Sequence, residues 1–188
     1  MLVLALGDAH IPDRAIDIPE QFQKLLKPGR IGLTLCLGNL TDKATFEYIR
    51  GIAPQLEIVR GDYDLMSGLP QTKVVATGSL RIGITHGHNI IPRGDADALL
   101  ILARQLDVNV LLFGGTHKFE AYELDGKFFL NPGSVTGAYS TEKPTDSPGI
   151  ETVPSFCLLD IQGTELVLYV YSLVDGQLKV ERIKYRKD

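Results

Sequence analysis

The hydrophobic pattern opens on a run without polar interruption, Leu2–Leu6, which stops at Gly7. A short run of this kind, rich in Leu and Val, predicts a strand buried on both faces. A second run covers Ile31–Leu37 and ends at Gly38, and a shorter one covers Glu57–Arg60 and ends at Gly61. Between these runs the apolar spacing becomes helical. One helix is predicted to start near Pro19, with Phe22, Leu25 and Leu26 on one face and Pro28-Gly29 as its stop. Another begins after Thr41, read as its N-cap, and repeats Phe46, Ile49 and Ala53 before Pro54. Strand–helix–strand–helix–strand predicts a largely parallel sheet with right-handed crossovers.

Further along, the elements change character. Val74–Thr77 and Leu80–Thr85 read as a hairpin about Gly78-Ser79. A third helix is expected near Asp95–Leu106, aligning Leu99, Leu102, Ala103 and Leu106. Val108–Phe113 is a continuous apolar run suited to a central strand. From Phe119 onward only strands are evident. Ala121–Leu124 and Lys127–Leu130 pair about Asp125-Gly126, and Ser155–Ile161, Glu165–Leu173 and Leu178–Tyr185 follow. Residues Ser140–Val153, with Pro, Gly, Ser and Thr and little apolar content, read as a mobile surface loop. The tail KVERIKYRKD reads as an edge strand whose charges discourage further pairing, not as a nucleic-acid patch. No repeat or linker interrupts the chain. Residues 1–188 therefore read as a single α/β domain, two β-sheets packed face to face with helices outside.

Composition narrows the classes. The chain has 188 residues and a formal net charge of −4, which argues against a general nucleic-acid binder. A chain of this length buries about 70% of its unfolded surface and needs no staples. Cys36 and Cys157 lie within apolar stretches and read as reduced core residues of a cytoplasmic protein. The opening MLVLALGDAH lacks a basic leader, and no stretch approaches the roughly 20 apolar residues of a spanning helix.

Only four histidines occur, and their positions carry the chemistry. His10, His86 and His117 each follow an apolar strand, in VLALGDAH, IGITHGH and VLLFGGTH. Other strand ends carry Gly38-Asn39 and Gly61–Asp64 (GDYD). In parallel α/β sheets ligands bind beyond the carboxyl ends of the strands, so these segments can converge. Asp, His and Asn on short turns are ligands suited to Zn²⁺ or Mn²⁺. A lone Asp-x-His or Gly-Asn is ordinary turn chemistry. Five such segments together point to an ancestral metal centre. His88, two residues beyond His86, suits a supporting hydrogen bond.

The order D-x-H, G-N, G-D-x-D, G-H and G-x-T-H resembles the metallophosphoesterase (calcineurin-like) superfamily, whose members cleave phosphate esters with two metals. The segments LALGDAHIP, GNLTDKATFEYI, IVRGDYD, HGHNIIPRGD, GTHKFEAYE, FFLNPGSVTGAYS and VPSFCLLDIQ, with YVY and KVERIKY, resemble more closely the family of small subunits of the retromer complex. The resemblance implies a sandwich of two packed mixed β-sheets flanked by helices. It implies that Asp8, His10, Asn39 and His117 match the ligands of one metal, and Asn39, Asp62 and His86 those of the other. The remaining ligand of the second metal, a histidine, falls at position 115, which here is Gly115. Tyr63 stands where active members carry a histidine; a missing general acid costs about 10²–10⁴-fold. Asn39 and Asp62 stand where active members usually have Asp and Asn. Two dications ~4 Å apart repel by about 16 kcal/mol at an effective dielectric of ~20, and a neutral amide bridge offsets little of that.

The resemblance thus implies no catalysis, and one weakly bound divalent ion (Zn or Mn) or none. It implies a scaffold role in endosomal cargo sorting and endosome-to-Golgi transport, with peripheral recruitment to endosomal membranes and no membrane insertion. The face of the degraded site, including Ile91, would bind the large α-solenoid subunit, vacuolar protein sorting-associated protein 35. A second patch, Leu2, Leu26, Ile90, Leu158, Tyr169 and Tyr171, would bind regulatory proteins, although by composition alone these positions read as core. The competing expectation is a metal-dependent phosphodiesterase with a weakened dinuclear centre, which Asp8, His10, His86 and His117 keep open.

Overall fold

A computed structural model describes residues 1–141 and 152–187. Residues 142–151 of the loop expected at Ser140–Val153 therefore lie outside the described residues. The elements follow in the order β1 (Leu2–Leu6), α1 (Glu20–Leu25), β2 (Leu33–Cys36), α2 (Lys43–Arg50) and β3 (Gln55–Ile58). The hairpin β4 (Thr72–Thr77) and β5 (Leu80–Thr85), α3 (Ala96–Gln105) and β6 (Val110–Leu112) come next. The chain then runs through β7 (Phe119–Leu124), β8 (Lys127–Pro132), β9 (Ser155–Gln162), β10 (Glu165–Val174) and β11 (Gln177–Arg186).

These strands form two mixed sheets. The larger has the order β11-β10-β9-β1-β2-β3, with β1, β2 and β3 parallel and the others antiparallel. The smaller has the order β4-β5-β6-β8-β7, with β5, β6 and β8 parallel. Val3 and Ala5 of β1 face the core between the sheets, alongside Ile82, Val110 and Leu130. Leu4 and Leu6 face the other way, beneath Phe22 and Leu26 at α1 and Ile49 of α2. Both faces of β1 are covered, which is why its sequence shows no polar alternation. The outer face of the smaller sheet packs Leu111 and Phe129 against Leu99 and Ala103 of α3. The result is helices, sheet, sheet and helix in layers.

Several local expectations shift. The α2 cap is Asp42, whose carboxylate accepts from Ala44 N at 3.0 Å and Thr45 N at 3.2 Å. Thr41 instead turns its hydroxyl to the Ile11 carbonyl, 2.5 Å away. Leu25 does not share the buried face of α1: Phe22 and Leu26, four apart, form the stripe, and Leu25 is 44% exposed. Strand β3 starts two residues earlier than expected because Gln55 already pairs in register with Leu33. Cys36 and Cys157 are buried and free. Burial pushes the Cys36 thiol up to about 12 and raises that of Cys157 further. Strand β11 is an edge of its sheet, as its charged pattern predicted. No helix among the described residues is long and apolar enough to cross a membrane.

Candidate metal centre

The loops after β1, β2, β3, β5 and β6 meet at one end of the sandwich, bringing Asp8, His10, Asn39, Asp62, His86 and His117 together. Four of the six have strained backbones. Asp8, His10, Asn39 and His117 have φ of 52°, 48°, 56° and 59°, a region that side-chain-bearing residues avoid at a cost of about 1–3 kcal/mol each. Hydrogen bonds from neighbouring loops hold them there. Asp8 N donates to the Gly38 carbonyl at 3.0 Å and His10 N to the Asn39 carbonyl at 2.9 Å. The hydroxyls of Ser134 and Thr136 donate to the carbonyls of Asp8 and Ala9, each at 2.7 Å. Gly61 must lack a side chain, since a Cβ there would overlap Asn39 Oδ1.

One half of the centre is a three-ligand set. Asp8, His10 and His117 are buried, and their ligand atoms all lie within 4.8 Å of one another. His10 Nε2 and His117 Nε2 each stand 3.6 Å from Asp8 Oδ1. The His117 Nδ1 contact with the Ala138 carbonyl, 2.7 Å, fixes the tautomer, because a carbonyl only accepts. Nε2 of that ring is then left as a lone-pair donor, the arrangement in which metal-ligating histidines are normally held. His10 Nε2 is buried without a hydrogen-bond partner, an orphan that a divalent cation would satisfy. Burial alone would raise the Asp8 carboxyl, but His86, His10 and His117 around it hold it well below the usual range. Burial lowers His117, only partly opposed by Asp8, which favours the neutral ring a metal requires. These three residues fit a divalent ion such as Zn²⁺ or Mn²⁺.

The other half is organised differently. Asn39 Oδ1 accepts from Tyr63 N at 3.0 Å, so its Nδ2 faces inward. That nitrogen lies 2.9 Å from Asp62 Oδ1, 3.3 Å from Asp8 Oδ1 and 2.9 Å from His86 Nε2. Asn39 therefore presents N–H groups to the centre, not a ligand oxygen. Burial would lower His86, yet the Asp8 carboxylate 3.0 Å away and Asp62 raise it above the ordinary histidine value. His88 Nδ1 contacts His86 Nδ1 at 3.2 Å, the supporting position expected of it. Arg93 Nη2 reaches Asp62 Oδ2 at 2.6 Å. This half, as built, does not fit a second divalent ion.

Sequence reasoning missed the residues that hold this frame. Asp64, buried, accepts from Asn39 N at 2.7 Å and Gly61 N at 2.8 Å, clamping the β2 and β3 loops together. The second Asp of GDYD was its only signal. Arg14 sits over the Tyr63 ring at 4.6 Å and the Tyr139 ring at 5.3 Å, at the mouth beside His10.

The expected regulator patch divides. Leu2, Leu26, Leu158, Tyr169 and Tyr171 line one groove of about 480 Å³ on the outer face of the larger sheet, with Phe156 among them. Ile90 does not join them; it packs beside α3 on the smaller sheet. Ile91 points to solvent.

Residues 1–172 match the calcineurin-like phosphoesterase superfamily domain. Over 187 residues the chain is 50% identical to vacuolar protein sorting-associated protein 29 of Schizosaccharomyces pombe, covering 100% of this chain and 99% of that one. The fold matches the crystal structure of Chaetomium thermophilum Vps29 with a TM-score of 0.95 at 51% identity, both chains being covered in full. It also matches wild-type Vps29 of Entamoeba histolytica, solved as a zinc complex, with a TM-score of 0.90 at 49% identity over 98% of this chain and 99% of that one. The chain therefore belongs to the calcineurin-like phosphoesterase superfamily and, within it, to the Vps29 family.

Proposed function

We propose that this chain is a non-catalytic scaffold subunit of retromer, acting in endosomal cargo sorting and retrograde transport. The face around the metal centre binds the large α-solenoid subunit, vacuolar protein sorting-associated protein 35, and the complex brings the chain to endosomal membranes from the cytoplasm. The observation that carries this reading is the exposure of large apolar side chains on the loops that follow the centre-bearing strands. Ile16, Leu65 and Ile91 are 95%, 94% and 86% exposed, and Tyr63, Met66 and Tyr139 are exposed beside them in sequence or in contact with Arg14. Large apolar side chains held out on such loops suit a protein–protein interface better than free solvent. A cavity of about 330 Å³ lined by Leu40, Phe46, Ile58, Leu65 and Met66 adjoins the same loops.

Catalysis is disfavoured by three positions. Asn39 turns its N–H groups inward, Tyr63 supplies a phenol where active relatives carry a histidine, and Gly115 supplies no ligand. One weakly held ion at Asp8, His10 and His117 is the most the centre takes. The groove of Leu2, Leu26, Leu158, Tyr169 and Tyr171 suits apolar anchors of regulatory proteins, with Lys24, Lys27 and Arg30 along its edge favouring acidic flanks.

Capture by the α-solenoid subunit of the same organism tests the main reading. The native chain is retained and Ile91→Asp is not, while both give the same far-ultraviolet circular dichroism. A folded native chain that fails to bind removes the reading. In parallel, hydrolysis of bis-p-nitrophenyl phosphate with Mn²⁺ stays at background; turnover at the rate of an active phosphodiesterase restores the enzymatic alternative.

A further inference from the structure

The half of the centre built on Asn39, Asp62 and His86 already contains a cation. Arg93 Nη2 lies 2.6 Å from Asp62 Oδ2, and Nη1 lies 3.4 Å from the Gly115 carbonyl, to which it donates. The other Asp62 oxygen, Oδ1, accepts from Asn39 Nδ2 at 2.9 Å. Both carboxylate oxygens are thus engaged by N–H donors, and His86 Nε2 is 3.0 Å from Asp8 Oδ1. A divalent ion needs several unshared lone pairs converging on one point; here both Asp62 oxygens already face N–H protons.

Gly115 belongs to the same arrangement. A Cβ built on it would stand 3.2 Å from Arg93 Nη1 and 3.3 Å from His86 Cε1, and its φ of +83° disfavours any side chain. A ligand-bearing residue at 115 would therefore crowd the guanidinium, which would have to give by a few tenths of an ångström. The bare position 115 and the arginine at 93 are two parts of one packing solution, although 22 residues separate them in the chain.

We propose that the Arg93 guanidinium is a resident replacement for the second metal ion. It neutralises Asp62, keeps a second divalent ion out and ties the Ile91-bearing loop to the β3 loop. Arginine suits this role because its planar fork stays charged at any physiological pH and cannot dissociate from the protein. The loop that carries Ile91 is then held in place without metal. Metal capacity falls to the single set of Asp8, His10 and His117.

Manganese titration followed by electron paramagnetic resonance and calorimetry tests this. The native chain is expected to take one Mn²⁺ and give only the spectrum of an isolated ion. The Arg93→Ala/Gly115→His variant is expected to take two and to give the exchange-coupled spectrum of a pair. Arg93→Gln, which leaves the backbone at 115 alone, serves should that variant not fold; it is expected to admit a second ion at least tenfold more weakly than the first. A coupled pair in the native chain overturns the proposal with no variant needed. So does a folded Arg93→Ala/Gly115→His or Arg93→Gln protein that still takes a single ion.

Discussion

The candidate metal centre and the groove beside α1 place their side chains in opposite ways. At the strand ends, polar side chains are buried on strained loops, and nearly every one is held by another. Asp8 alone accepts from Gly115 N at 2.8 Å and contacts His86 at 3.0 Å. On the outer face, the groove rests on regular strands. Leu158 pairs in register with Tyr169 and with Leu4, and Phe156 with Tyr171, whose ring stacks on it at 4.8 Å. The first region places its side chains by backbone strain and hydrogen bonds; the second places most of its apolar wall by strand periodicity. Substitution at the centre therefore acts through fold and metal together, whereas substitution at the groove wall acts on binding with little effect on the fold.

Asp8→Ala carries the largest expected effect. It leaves the buried His86, whose protonated form Asp8 supports, without its nearest counter-charge. Breaking a buried pair in this way costs about 3–5 kcal/mol, and urea unfolding should show a correspondingly lower midpoint. The rise in melting temperature on adding Zn²⁺ should disappear as well. A variant as stable as the native chain would mean that the centre is not structural.

Phe156→Ala and Leu158→Asp separate the floor of the groove from its wall. Phe156 is fully buried and meets the Phe22 ring edge-on at 4.8 Å. Its loss should cost about 3–5 kcal/mol in the same unfolding measurement. Leu158, on the same face of β9, is only half-buried. Aspartate there should cost about 1 kcal/mol while abolishing capture of regulatory partners and sparing capture by the α-solenoid subunit. If Leu158→Asp unfolds the protein, the groove is core and the contrast between the regions fails.

Much of this was readable from the chain because the residues concerned are rare or periodic. The uninterrupted run Leu2–Leu6 announced a strand covered on both faces, and three histidines after strand ends announced a centre. The groove was not readable from composition: Tyr169 and Tyr171 at period-two spacing look the same whether they line a surface or fill a core. Ile90, grouped with these positions by resemblance, packs apart from them beside α3. Gly115 stood out against the resemblance, but its pairing with Arg93 left no local trace, since only folding sets the two side by side. Asp42 displaced Thr41 as the α2 cap for a similar reason, the Thr41 hydroxyl being drawn to the β1 loop by Ile11.

Tyr63→His should have the smallest effect, and that smallness is informative. The Tyr63 ring lies 5.5 Å from the His10 ring at the open mouth, so histidine there would return a group able to protonate a leaving oxygen. The change removes one cation–π contact with Arg14, worth about 0.5–1 kcal/mol at an exposed site, and should barely move the unfolding midpoint. A general acid multiplies an existing reaction by about 10²–10⁴-fold; it does not create a nucleophile. With Asn39 turning N–H groups inward and Arg93 on Asp62, the proposed single-ion centre would lack the pair of ions that activates a water, and bis-p-nitrophenyl phosphate hydrolysis should stay at background with Mn²⁺ present. A tenfold rise from this one change would mean that the centre lacks only its acid. It would then be a dormant enzyme rather than a scaffold, and the constraint seen in its buried polar network would belong to chemistry instead of to shape.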